Sequence, residues 1–172
     1  MRILAVSLMV AVVSFTPLRA QQTGGSIDLP AAVNVVLRVE GAGVQIYTCT
    51  STPAATKWVL NAPDAKLMDS SGQSIGSHFA GPTWKLDDGS QVQGELIASK
   101  PAPDAGSVAW LLLRAKAGSA TGTLAKVAFI RRTATNGGVA PASGCESAQD
   151  AGKTTRVPYA ATYSFYSGPA AN

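Results

Sequence analysis

The sequence predicts an all-β fold: a single-domain sandwich or barrel of about ten short strands, closed by one disulfide. Three observations predict it. Apolar residues recur with a period near two rather than 3.6 over most of the chain. Turn formers punctuate it at short intervals, with 17 Gly and 10 Pro in 172 residues. Such a content is tolerated between strands and costly inside helices. No segment outside the first 20 residues reads as a convincing helix.

The elements follow in order. Met1 to Ala20 has an early cation at Arg2, an apolar run from Ile3 to Phe15, and small Ala20 before Gln21-Gln22. That is the layout of a secretory signal. The run falls short of the ~20 residues that span a bilayer. The expected location is therefore secreted or periplasmic, with no transmembrane segment once the signal is removed. Residues 21–29 read as a flexible leader, 30–168 as the single domain and 169–172 as a tail. Val33, Val35, Leu37 and Val39 alternate, Gly41-Ala42-Gly43 is expected to turn the chain, and Val44 to Cys49 returns. Lys57–Leu60 and Ala65–Met68 are further short strands, separated by Asn61-Ala62-Pro63-Asp64.

Thr83–Leu86 and Gln91–Ile97 flank Asp87-Asp88-Gly89-Ser90, where Asp-Gly suits a tight hairpin. Val108–Ala117 is apolar without alternation at Trp110–Leu113, as in a central strand covered on both faces. Leu124–Ile130 is the next strand. Asn136-Gly137-Gly138 opens a long loop, and Val157, Tyr159, Ala161, Tyr163 and Phe165 lay one stripe along the last strand.

Charge excludes one class of partner. Without Arg2 and Arg19, 12 basic residues face 10 acidic ones, and only Arg131-Arg132 are adjacent. No basic stripe could neutralise a row of phosphates, so no nucleic-acid partner is expected. Two cysteines, Cys49 and Cys145, read first as a disulfide in an exported chain. The rivals are two free thiols or a redox pair, and the latter lacks C-x-x-C spacing. A loop of roughly 100 residues closed this way contributes up to ~4.7 kcal/mol.

Chemical motifs are sparse. Gly72-Gln73-Ser74-Ile75-Gly76 matches G-x-S-x-G, but it follows a polar turn and opens a strand, where a hydrolase elbow needs a following helix. Gly152-Lys153-Thr154 and Gly41-Ala42-Gly43 lack the remaining glycines and helices of nucleotide loops. One histidine and a paired cysteine set leave no converging metal ligands, so neither metal nor cofactor is expected. The densest chemistry lies between His78 and Ser90. There the only histidine, Trp84, Asp87 and Asp88 could form a ligand pocket, or His78 and Trp84 could fill core above a solvated turn.

Several pieces together resemble a known family. They are Gly43–Cys49, His78–Trp84, Asp88-Gly89-Ser90, Trp110–Leu113, Arg131-Arg132-Thr133, Gly137–Pro141 with Cys145, and Tyr159–Tyr166. In combination the chain resembles secreted bacterial and fungal proteins catalogued as a domain of unknown function. The resemblance runs from about Ala31 to Gly168 and implies one exported domain without assigning chemistry to any residue.

Three functions fit. The first is a non-catalytic binding domain for a small molecule, a glycan or an envelope component. The second is a structural or partner-binding envelope protein, marked by a broad apolar patch. The third is a hydrolase or isomerase using Asp87, Asp88 and Glu95 with His78 as acid or base.

Overall fold

The computed structural model describes residues 25–168. The expected signal segment, residues 21–24 of the expected leader and the tail 169–172 lie outside the described residues. Eight strands form one closed antiparallel barrel, each paired with its chain neighbour and the last with the first. They are β1 (Asn34–Ser51), β2 (Thr56–Met68), β3 (Ser74–Phe79), β4 (Thr83–Leu86), β5 (Gln91–Lys100), β6 (Trp110–Gly118), β7 (Val127–Gly137) and β8 (Thr154–Ser167). Among the described residues, one 3₁₀ turn, Ala148–Asp150, lies in the loop before β8.

The count is eight rather than ten because two expected turns are strand. Gly41-Ala42-Gly43 stays extended within β1 and pairs on both sides, Gly41 opposite Leu67 and Ala161. Its glycines serve packing rather than turning. A Cβ on Gly41 would sit 2.6 Å from the Tyr163 ring inside the barrel. Asn61-Ala62-Pro63-Asp64 likewise continues β2, with Asn61 absorbed in an irregularity opposite Ile46 and Tyr47. Pro63 is tolerated because this half of β2 has a strand on one side only.

The expected turn at residues 87–90 is present. Leu86 N–H donates to the Ser90 carbonyl at 2.8 Å, and Gly89 takes φ +85°. That conformation is open to glycine at little cost. Leu124, expected in a strand, is instead buried in the 119–126 connection, and β7 starts at Val127.

Period two determines what each strand buries. On β1 the odd residues Val39, Gly41, Gln45, Tyr47 and Cys49 are buried. On β8, Tyr159, Ala161, Tyr163 and Phe165 face the same interior core as Leu67, Trp84, Val92, Leu113 and Ile130. The run at Trp110–Leu113 is apolar on both faces for a visible reason. Leu113 joins the interior, while Leu112 packs with Phe129 and Tyr166 under Ile27. That second cluster is outside the barrel, and residues from the expected leader cover it.

Wall height is uneven. β1 has 18 residues and β8 has 14, but β3 has 6 and β4 has 4. The upper end carries the 80–82 turn and the loops 101–109 and 138–153. There β2 pairs with β3 only from Ala65 onward, and β4 pairs with β5 only through Gln91–Gln93. Thr56–Asp64 of β2 and Glu95–Lys100 of β5 thus rise above the β3–β4 hairpin as the two sides of a notch.

Candidate functional site

The four residues expected to share a pocket divide between two places. His78 and Trp84 are cross-strand partners on β3 and β4, inside the barrel, 3% and 1% exposed. Their rings stack at 4.4 Å with planes 5° apart. Tyr163 meets both edge-on, at 5.0 and 5.5 Å, and Phe165 closes on Trp84 at 5.9 Å. The His78 Nδ1 lies 2.9 Å from the Thr83 carbonyl. A carbonyl only accepts, so Nδ1 carries the proton and donates. Burial depresses the imidazole to about 4, with the Arg132 charge adding to the effect and the Thr83 bond opposing it. At neutral pH His78 is uncharged.

Asp88 is occupied by turn architecture. One carboxylate oxygen accepts from Ser90 N–H at 2.8 Å and Ser90 Oγ at 2.6 Å, the other from Thr123 N–H at 2.9 Å. These bonds, the Ser90 hydroxyl first, hold its carboxyl well below the usual range. They fasten the 87–90 turn to the 119–126 connection at the lower end. Asp87 lines a cleft of about 300 Å³ there with Leu37, Ile75 and Leu86. Glu95 faces outward and pairs with Arg114 at 3.0 Å. The carboxylates considered for catalysis therefore do not converge on His78. Among the described residues, no group of three His, Cys, Asp or Glu side chains could hold a metal.

A different set of polar groups surrounds His78. Arg132 lies two residues after interior Ile130 and opposite interior Tyr163, so strand alternation turns it inward. Its Nε and Nη2 donate to the Ala109 carbonyl at 3.1 and 2.8 Å. Its charge reaches Tyr47, His78, Tyr159 and Tyr163. Tyr47 donates to the Gly138 carbonyl at 2.6 Å, and the Tyr159 and Tyr163 hydroxyls share a bond at 3.2 Å. Burial pushes all three phenols up, so they remain neutral hydroxyls. Gln45 is 1% exposed with no partner for Oε1, and Trp84 has none for Nε1.

Arg132 was legible in principle. It ends an apolar run in sequence, and counting by two from Ile130 places it with the core. No carboxylate among the described residues lies within 4.0 Å of it. The set can donate hydrogen bonds and present one positive charge. The sole histidine beside it is neutral and bonded to the Thr83 carbonyl.

The notch bears on access. Glu95 and Arg114 form an outward pair, so the next pair, Leu96 with Leu113, faces inward. Leu60 faces inward beside Tyr47. Yet Leu96 is 57% and Leu60 48% exposed. Inward positions that meet solvent mark an open side of the barrel.

The upper loops are held down by the disulfide. Cys49 and Cys145 are bonded, with Cα atoms 5.5 Å apart. The β1 end also exchanges backbone bonds with Gly152 and Lys153. Trp58 Nε1 donates to the Ser143 carbonyl at 3.0 Å, and Val108 N–H to Gly137. Among the described residues no helix is long and apolar enough to cross a membrane.

Comparison with curated proteins and with solved structures finds no match. A family model described as "Protein of unknown function (DUF3455)" matches residues 30–167, and the chain belongs to that family.

Proposed function

We propose that the protein is an exported, non-catalytic binding barrel that takes a small polar molecule, free or as part of a glycan or envelope component, at its low-walled upper end. One observation carries the reading. Arg132 points into the barrel, its charge reaching Tyr47, Tyr159 and Tyr163, without a carboxylate partner among the described residues. A guanidinium partly withdrawn from water without a counter-charge carries a desolvation cost. A ligand that supplies acceptors there recovers part of that cost. His78 and Trp84 form the floor of this site, while Asp87 and Asp88 belong to the opposite end. Export rests on the first 20 residues and agrees with the disulfide.

The test is calorimetric titration of the exported protein with small acids, neutral polar molecules and short glycans. The wild type is compared with Arg132→Gln and Gln45→Leu. Binding weakened in both variants, with melting temperatures preserved, supports the site. A ligand whose affinity neither substitution alters would place binding elsewhere.

A second reading has its own support. Val59, Leu60, Phe79, Leu96 and Ile97, all 40% exposed or more, lie on the strands that border the notch. That apolar rim suits a partner-binding envelope protein, and capture of a larger partner without any small-molecule binding would favour it.

A further inference from the structure

Two features of the upper end, taken together, specify the chemical class of the ligand. The first is the count of available charges. Arg131, next to Arg132, points outward, donates to the Tyr166 hydroxyl at 3.0 Å and lies over that ring. Arg156 is neutralised by Asp64 at 2.6 Å. Among the described residues Arg132 is left as the inward guanidinium of this end, half-buried, while Lys57 and Lys100 on the notch walls are exposed. Its Nε and Nη2 face the Ala109 carbonyl, which leaves the Nη1–Nη2 end to meet the two coplanar oxygens of a monoanion. A phosphate monoester, with nearly two charges, would leave charge uncompensated.

The second feature is the notch beside it. Leu60 and Leu96 occupy inward positions, where most side chains of this barrel are buried, and both remain exposed. They sit on the facing free margins of β2 and β5, with Phe79 at the tip of β3 below. Below the notch β3 carries His78, the strand partner of Ala65 and Trp84. The positive charge of Arg132 reaches that histidine. A molecule crossing the notch would meet apolar side chains first and the guanidinium last.

We infer that the bound molecule is an amphipathic monocarboxylic acid, its carboxylate on Arg132 and its apolar body across Leu60 and Leu96 in the notch. The inference rests on the binding-barrel reading and sharpens it. With Tyr47 donating to the Gly138 carbonyl, a hydroxyl of the Tyr159–Tyr163 pair is the remaining phenolic donor, and the unpaired Gln45 Oε1 accepts from any hydroxyl the ligand carries. Neutral His78 below adds no competing charge.

The test uses exported, disulfide-bonded protein in a carboxylate-free buffer, titrated with octanoate, octanol, acetate and a neutral sugar. Octanoate is expected to bind, with octanol and acetate each about tenfold weaker or worse. Arg132→Gln should reduce octanoate to the affinity of octanol. Leu96→Ser, at an exposed position that does not threaten folding, should weaken octanoate by about threefold or more and leave acetate unchanged. Octanol binding as tightly as octanoate to the wild type would overturn the inference, and this comparison needs no variant. Unaltered octanoate affinity in folded Arg132→Gln would overturn it as well. If the sugar binds through Arg132 and octanoate does not, the acid is wrong and the binding barrel stands. If nothing in the series or the wider panel binds, both fall.

Discussion

The two ends of this barrel are built from the same strands and bury different chemistry. Toward the lower end the interior is aliphatic and aromatic: Leu67, Leu86, Val92, Leu113, Ile130 and Phe165, with Leu124 brought in from the connecting segment. Toward the upper end the same alternation on β1, β7 and β8 delivers Gln45, Tyr47, Arg132, Tyr159 and Tyr163. The lower end satisfies itself. The upper end contains an arginine without a carboxylate and a buried amide oxygen without a donor. A barrel needs one dry section to be stable. In the polar section beside it, hydroxyls and an amide take the inward places that aliphatic side chains hold below.

The comparison can be broken most forcefully at the boundary. Trp84→Ala removes the side chain on which His78, Tyr163 and Phe165 all converge. It should cost about 3–5 kcal/mol in urea denaturation. A loss below ~1 kcal/mol would show that the dry section does not depend on this ring.

The disulfide comes next and concerns the upper end alone. Cys145→Ser, paired with Cys49→Ser, should cost about 2–5 kcal/mol and loosen the 138–153 loop before the barrel. Hydrogen exchange is the measurement. Uniform loss of protection across both ends would contradict the division.

Third is pH. His78 has a folded value of about 4, below its unfolded value near 6.5, so the unfolded chain takes up the proton first. The stabilising contribution is complete above pH 6.5 and lost as pH falls from 6.5 to 4. It amounts to about 3 kcal/mol. His78→Phe should flatten stability across that window. A slope that survives the substitution would assign it to other groups.

The smallest effect is the sharpest discriminator. Gln45→Leu replaces a buried, incompletely bonded amide by an apolar side chain of similar size. It should change stability by under about 1 kcal/mol, or raise it. The same change at the dry end, Leu67→Gln, should be strongly destabilising. Equal costs at both positions would erase the distinction between the ends.

Much of this was legible in the residues, and the misses have physical causes. The even cysteine pair, the Asp-Gly turn and the alternation at Val157–Phe165 correspond directly to the disulfide, the 87–90 turn and the inward stripe of β8. A glycine that turns a chain looks like one that makes room for a neighbour, Gly41 for the Tyr163 ring and Gly43 for the β2 backbone at Asp64 and Ala65, until the partner strands are known. His78, Trp84, Asp87 and Asp88 were close in sequence, but β4 carries the chain between ends in four residues. Alternation from Ile130 turns Arg132 inward, but its surroundings depend on Tyr163, Tyr159 and Tyr47, which come from two other strands.

By itself, then, the sequence determined the secondary-structure class, the covalent link and, through a period of two, which residues share a face. The tertiary structure alone decided which faces meet, how far each wall rises, and that the charge of an arginine on one strand reaches a histidine on another. The physical reason is that alternation is local, whereas pairing register and closure arise from contacts between residues up to more than a hundred positions apart.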